Sequence, residues 1–297
     1  MRMSAGEKIF QACNTVFLIL FSLTMLYPFV LMLAMSLNEG MDTAKGGIYL
    51  LPRAFTLFNY EVVLNNPFIK SAYLVTVGRT VIGTALSILV TALFAYGLSY
   101  RNVPFRRLIT VYAIIPMLFN GGLVPFYLQL KSLHLLNTFW VFVIPYMFNI
   151  WNMFVMYRFF RSTPEELREA AEIDGANPLQ ILFRIIFPVS LPMLAALSLF
   201  TAVGHWNDWF AGAFFVTDNQ LVPVQTYLQK MLSIDRLEMI PGGAGAEDMY
   251  PESKWSDVTL IAVKMATVMV GTLPILFVYP FLQKYFVKGI MIGSLKE

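Results

Sequence analysis

The chain has 297 residues, of which 58% are hydrophobic and only 13% charged. Water-soluble domains carry about a quarter charged residues, so this composition excludes a soluble globular domain, and a net charge of +3 is too small to argue for a nucleic-acid partner. The single cysteine, Cys13, excludes an internal disulfide and stands in no metal-ligand spacing.

Residues 1–14 are short and mildly basic through Arg2 and Lys8. The apolar run 15–37 is about 34 Å long as a helix, enough to cross a hydrocarbon core. It exceeds a signal-peptide core and lacks a small-residue cleavage site after it, so it reads as a first transmembrane helix. Residues 38–70 form a polar connection broken by Gly46-Gly47, Pro52 and Pro67. Within it, RAFTLFNYEVVL (53–64) is expected to form a short surface helix with aromatic residues at headgroup level. A second span covers 71–99 and leaves through Arg101, Arg106 and Arg107. A third covers 108–130 and contains Asn120-Gly121-Gly122, which loosens or unwinds a helix. A fourth covers 138–157, a fifth 182–203 and a sixth 258–283, with a long polar connection at 205–257 and a tail at 285–297. The expected fold is all-α, a polytopic membrane protein with six transmembrane helices over 15–284.

Six spans put both termini on one side. That side, with residues 1–14, 101–107, 158–184 and 284–297, holds twelve Lys/Arg against seven Asp/Glu, while the other holds seven against eleven. The positive-inside rule makes the first side cytoplasmic.

The polar interruption 161–188, RSTPEELREAAEIDGANPLQILFRIIFP, therefore lies in the cytoplasm. It carries two helix-start signals. Thr163 can cap, with Pro164 first in the helix and Glu166 completing a capping box; Asn177, Pro178 and Gln180 repeat the pattern. Gly175 supplies the stop between them. Glu165, Glu166, Glu169 and Glu172 make the first helix acidic, and Ala170 with Ala171 leaves a low patch that another backbone can approach. An ordinary amphipathic loop between spans has the same features.

The spacing Glu169-Ala170-Ala171, three residues, Gly175, nine residues, Ile185-x-Phe187-Pro188 resembles the EAA loop of the membrane subunits of bacterial ABC importers, with Phe187 in place of the usual leucine. The segments FNGGLVPFYLQLKSLHLLNT (119–138), Trp206-Asn207-Asp208 and the terminal VKGIMIGSLKE are similar to the carbohydrate-uptake, maltose-type branch, and within it to the group serving complex or acidic oligosaccharides. The resemblance implies a permease subunit in the bacterial cytoplasmic membrane that catalyses no reaction itself. Glu169, Ala170, Ala171, Asp174, Gly175, Ala176 and Pro188 would form the ATPase-coupling element. The implied partners are a sister permease forming a heterodimer, two ATPase subunits that use ATP and Mg, an extracytoplasmic solute-binding protein, and a sugar or oligosaccharide. No cofactor or metal would be bound by this chain. The resemblance also implies that the outer loop before the last span, about 218–256, reaches the binding protein, and that the tail, about 289–297, enters the ATPase interface.

Polar groups inside spans need an account. Arg79 and Lys264 admit a water-filled pathway, but snorkelling or a structural partner is the favoured expectation. Asn149 and Asn152, at i and i+3 beside Trp151, offer amides next to an indole, a combination that binds sugars; interhelical hydrogen bonding explains the same asparagines. Asn120 marks a bend beside the pathway or close helix packing. Two other classes compete. An ion-coupled secondary carrier predicts carboxylates inside the spans and inverted repeats, and no Asp or Glu falls within the six spans. An intramembrane enzyme needs a nucleophile-base pair or a metal motif, and none occurs. An importer permease for a non-sugar solute has the same coupling loop.

Overall fold

The computed structural model describes residues 4–100, 103–233 and 259–294, with the side chains of Ala5 and of residues 278–294 outside that description. Among the described residues the chain is helical apart from turns, connections and one isolated antiparallel bridge between Asn38 and Phe55. It divides into two units, Met1–Ile69 with Lys230–Leu273, and Lys70–Gln229 with Pro274–Glu297.

The first unit begins with α1, Ala5–Ser36. Ser4 accepts from the Glu7 N–H at 3.3 Å and Glu7 accepts from the Ser4 N–H at 2.7 Å, a reciprocal capping box that starts the helix well before residue 15. Residues Gly6–Ser36 have a mean hydropathy of 2.4, and an apolar stretch of 18 of them has no residue buried within the described chain, while Ala34 and Ser36 at the exit are buried. Such a helix is stable where hydrocarbon covers it. The connection that follows is folded back onto the exit of α1. Glu39 N–H donates to Ala54 O and Thr56 N–H to Leu37 O, both at 2.8 Å. The buried Asn38 organises this turn. Its oxygen accepts from the N–H groups of Arg53 (2.7 Å) and Ala54 (2.8 Å), and its amide donates to Asp42 and Thr43, both at 3.0 Å. Arg53 also pairs with Asp42 at 2.9 Å. Because residues 53–56 are taken up in this pairing, the surface helix expected at 53–64 starts later. After the short α2, Gly40–Ala44, it appears as α3, Phe58–Asn65.

In the second unit α4, Pro67–Ser99, runs unbroken for 33 residues, about 50 Å at 1.5 Å per residue. The third, fourth and fifth spans are broken. α5, Arg106–Leu118, and α6, Leu123–Ser132, meet at 114° instead of forming one helix over 108–130. The cause is local: Asn120 accepts from the Gly122 N–H at 2.8 Å, and Gly122 has φ +86°, a backbone state that only glycine enters cheaply. The fourth span starts as 3-10 turns at Phe139–Phe142 and Ile144–Tyr146, bends by 46°, and continues as α7, Ile150–Ser162, past the expected end at 157.

Four short elements follow. They are α8, Glu166–Ile173; α9, Pro178–Ile181; a π-helical turn, Leu182–Ile186; and α10, Phe187–Val189. The fifth span expected at 182–203 is an 86° corner between Pro178–Val189 and α11, Leu191–Asn207. Pro188 and Pro192 have no N–H to donate back, and the π turn precedes them; both are recognised causes of a sharp helix break. α12, Phe210–Phe215, and α13, Val224–Leu232, come next. The last helix, α14, Leu260–Ser294, takes the place of the sixth span. Among the described residues three helices are long and apolar enough to cross a membrane, and up to six spans result if each bent pair counts as one. The core of the second unit lies where α4, α7, α8, α9 and α11 converge, with Ala92, Ala95, Met153, Met156, Phe160, Ala171, Ile181 and Leu197 buried in it.

Candidate functional site

The loop 161–188 folds as helix, turn, helix, but one of its two expected caps is absent. Thr163 ends α7, with its hydroxyl 3.4 Å from Phe159 O, and its ψ of 133° is the extended value that a following proline imposes. α8 instead starts behind Glu165, with no side-chain cap. The glycine stop forms as expected. Gly175 has φ +78°, its N–H donates to Glu172 O at 3.0 Å, and the Ala176 N–H donates to Ala171 O at 2.9 Å, which is a Schellman closure. The second capping box is complete, with Asn177 and Gln180 exchanging bonds of 2.9 Å.

The expected small-residue patch is split. Ala170 is exposed, but Ala171 is buried against Phe160 and Ile181, because consecutive residues point about 100° apart on a helix. Glu169, Ala170, Glu172, Asp174 and Gly175 face outward, while Ala176 packs partly against the core and Pro188 sits at the 86° corner. Two residues of this element escaped the sequence reading. Ile173 is 85% exposed, an apolar side chain presented on an acidic helix. Arg168 points the other way and is buried, its guanidinium against the edge-to-face pair of Tyr96 and Tyr100. Its i, i+3 spacing from the inward Ala171 is the signal that places it on the inner face.

A cavity of about 500 Å³ lies in the second unit. Asn149, Trp151 and Asn152 line it together with Tyr146, Thr201, His205 and Asp208. Asn120 does not line it and lies exposed at the break between α5 and α6. Asn149 is the N-cap of α7 and accepts from the Asn152 N–H at 2.9 Å. Asn152 is buried and its amide donates to Thr201 on α11 at 3.1 Å, which is the helix-joining role. Trp151 is 64% exposed.

Behind the cavity wall, Arg79 of α4 is 1% exposed and lies 3.4 Å from the Asp208 carboxylate. It also donates to Asp208 O and stacks over the Phe142 ring at 5.2 Å. Asp208 further accepts from the N–H groups of Phe210 (2.9 Å) and Ala211 (3.2 Å), so the carboxylate both caps α12 and neutralises the guanidinium. Arg79 is thus internally paired and does not snorkel. Lys264 likewise has a structural partner, Leu232 O at 3.1 Å. The approach of α11 to α4 depends on Gly83, where a Cβ would fall 2.7 Å from the His205 ring. Sequence reading took the Trp206-Asn207-Asp208 segment as a resemblance and missed Asp208 as the partner of Arg79, a residue 129 positions away. The expected binding-protein loop at 218–256 and tail at 289–297 fall largely outside the described residues and side chains.

The family described as "Binding-protein-dependent transport system inner membrane component" matches residues 1–292. Protein LplC of Bacillus subtilis (strain 168) is 36% identical over 296 residues, covering 100% of this chain and 98% of that one. The polygalacturonan/rhamnogalacturonan transport system permease protein YtcP of the same organism is 36% identical, covering 98% of this chain and 99% of its own. In the crystal structure of a bacterial ABC transporter involved in the import of the acidic polysaccharide alginate, one chain superposes with a TM-score of 0.87 at 31% identity, covering 96% of this chain and 99% of that chain.

Proposed function

The chain belongs to the binding-protein-dependent transport system inner membrane components, and from that premise we propose that it forms, with a sister permease, the pathway for an acidic oligosaccharide. It is a multi-pass membrane permease subunit of an importer. The single observation that carries the coupling assignment is the shape of α8. It is short and acidic, and the Gly175 closure and the Asn177 box fix both sides of its turn. It presents Glu169, Ala170, Ile173 and Asp174 outward while Ala171 keys it to the core. Such a knob suits a groove on a separate ATPase.

In this reading two ATPase subunits bind ATP and Mg, and a solute-binding protein delivers the sugar from outside. The basic connections support a cytoplasmic position for α8 and both termini. ATP-driven closure of the ATPase pair moves α8, and that motion reaches the cavity lined by Asn149, Trp151 and Asn152. Amides there suit sugar hydroxyls and the indole suits a ring face. Two named similarities, to a polygalacturonan/rhamnogalacturonan permease and to an alginate importer, support an acidic sugar as the solute.

Purification of the tagged chain from native membranes, with mass spectrometry of its companions, tests the assembly. An ATPase, a second permease and a lipid-anchored or free binding protein are expected. Glu169→Lys is expected to reduce the ATPase recovered, by reversing a charge on the docking face. Recovery of this chain alone, active in vesicles without ATP, would overturn the reading.

A further inference from the structure

The outward face of α8 explains docking, but docking alone moves nothing in the cavity. The inward face supplies the missing connection. Arg168, in the first turn of α8, is 9% exposed, and its guanidinium lies 5.3 Å from the Tyr96 ring centroid and 5.4 Å from that of Tyr100. Its Nη2 donates to Ser99 Oγ at 3.1 Å and to Phe160 O at 2.7 Å. The two tyrosine hydroxyls are 2.7 Å apart, so the two rings are themselves tied together. Tyr96 and Ser99 belong to the last turn of α4, Tyr100 follows it directly, and Phe160 belongs to α7.

A planar cation packed against a pair of edge-to-face rings and fixed by two hydrogen bonds is a directional joint, which a point charge on a flexible stem does not reproduce. The rod it grips is continuous. α4 runs without a break from Ser99 back past Ser87, which lines the cavity, to Arg79, which holds Asp208. Ser87 lies about 18 Å along the helix from Ser99 and Arg79 about 30 Å. Displacement of α8 therefore acts on the cavity wall through one rigid element.

We propose that Arg168 is the positioning residue that clamps the coupling helix to the end of α4, so that movement of α8 is delivered to the cavity. The inference rests on the importer reading above. Its chemistry is separate from docking, because the Arg168 head faces away from the ATPase-facing surface.

The test uses the assembled importer in lipid nanodiscs, in a Cys13→Ser background carrying Ser87→Cys as a reporter on α4. Labelling of the S87C thiol by a maleimide is followed with and without the ATP analogue AMP-PNP. Ser87 is 1% exposed, so in the reference complex S87C is expected to label slowly without AMP-PNP and faster with it. Arg168→Met is expected to keep the bound ATPase and lose that nucleotide response, with Arg168→Lys retaining part of it. A full response in R168M would overturn the inference and leave the importer reading standing. Loss of the ATPase from the R168M complex would also overturn it, by assigning Arg168 to docking. Should R168M not accumulate in the membrane, Tyr100→Leu and Ser99→Ala each remove one contact of the clamp; a weakened response supports the proposal, and full responses in both overturn it. A reference complex with bound ATPase whose labelling ignores AMP-PNP would sink the importer reading and this inference with it.

Discussion

Removing the two members of the Arg79–Asp208 pair one at a time is expected to give unequal losses. Arg79 is 1% exposed and the Asp208 side chain 29% exposed. Stripping the partner from a fully buried ion costs about 3–5 kcal/mol, since the remaining charge is left without compensation. Asp208→Asn does this to Arg79, but three supports survive: the Asp208 carbonyl, the Phe142 ring and an amide oxygen in place of the carboxylate. With those supports and the partial exposure of Asp208, the expected cost falls to about 2 kcal/mol.

Arg79→Met removes the buried charge itself. The carboxylate left behind keeps the N–H groups of Phe210 and Ala211 and its contact with water, so a loss below about 1 kcal/mol is expected. At about 2 °C per kcal/mol for a chain of this size, D208N is expected to lower the unfolding midpoint in detergent by roughly 4 °C and R79M by much less. The double variant is expected to be more stable than D208N alone, because no orphan charge remains. Thermal unfolding followed by tryptophan fluorescence reads all three. Greater destabilisation by R79M than by D208N, or strict additivity in the double variant, would refute the reasoning.

Gly175→Val places a β-branched residue at φ +78°, where open space surrounds the added Cβ and the cost is purely backbone, about 1–2 kcal/mol. Membrane insertion is expected to persist and uptake to be abolished, while Gly175→Asn, which tolerates the left-handed region, retains uptake; normal uptake by G175V would count against the turn as a coupling element. In the connection after α1, hydrogen bonding from Asn38 and then Arg53 holds the Asp42 carboxyl below its ordinary value of 3.8. Its contribution is therefore complete above that value and lost as pH falls through the lowered one. Asp42→Asn is expected to lower the unfolding midpoint at neutral pH and to flatten its fall below about pH 4; an unchanged acid profile in D42N would show that another group controls it.

Much of this molecule was legible from local chemistry. Gly175 is written into the chain because few residues besides glycine take φ +78° cheaply, and Asn177 with Gln180 because a capping box is closed by neighbours three apart. The break at Asn120-Gly121-Gly122 was legible for the same reason, although its size of 114° was not. Local signals failed where two elements competed for one residue. Thr163 fits a cap, yet α7 continues to Ser162 and takes Thr163 as its own end. The surface helix at 53–64 lost its first residues to backbone pairing with Leu37 and Glu39 across the turn.

The sequence by itself determined the membrane class, the family and the Gly175 turn, since composition, motif spacing and glycine stereochemistry act over a few residues. Only the tertiary structure decided what each polar group inside the protein is for. Arg79 finds Asp208 across 129 residues, Arg168 finds Ser99 across 69, and Asn152 finds Thr201 across 49. A buried charge or amide must meet a partner, but which partner depends on which helices pack together, and no periodicity along the chain encodes that choice.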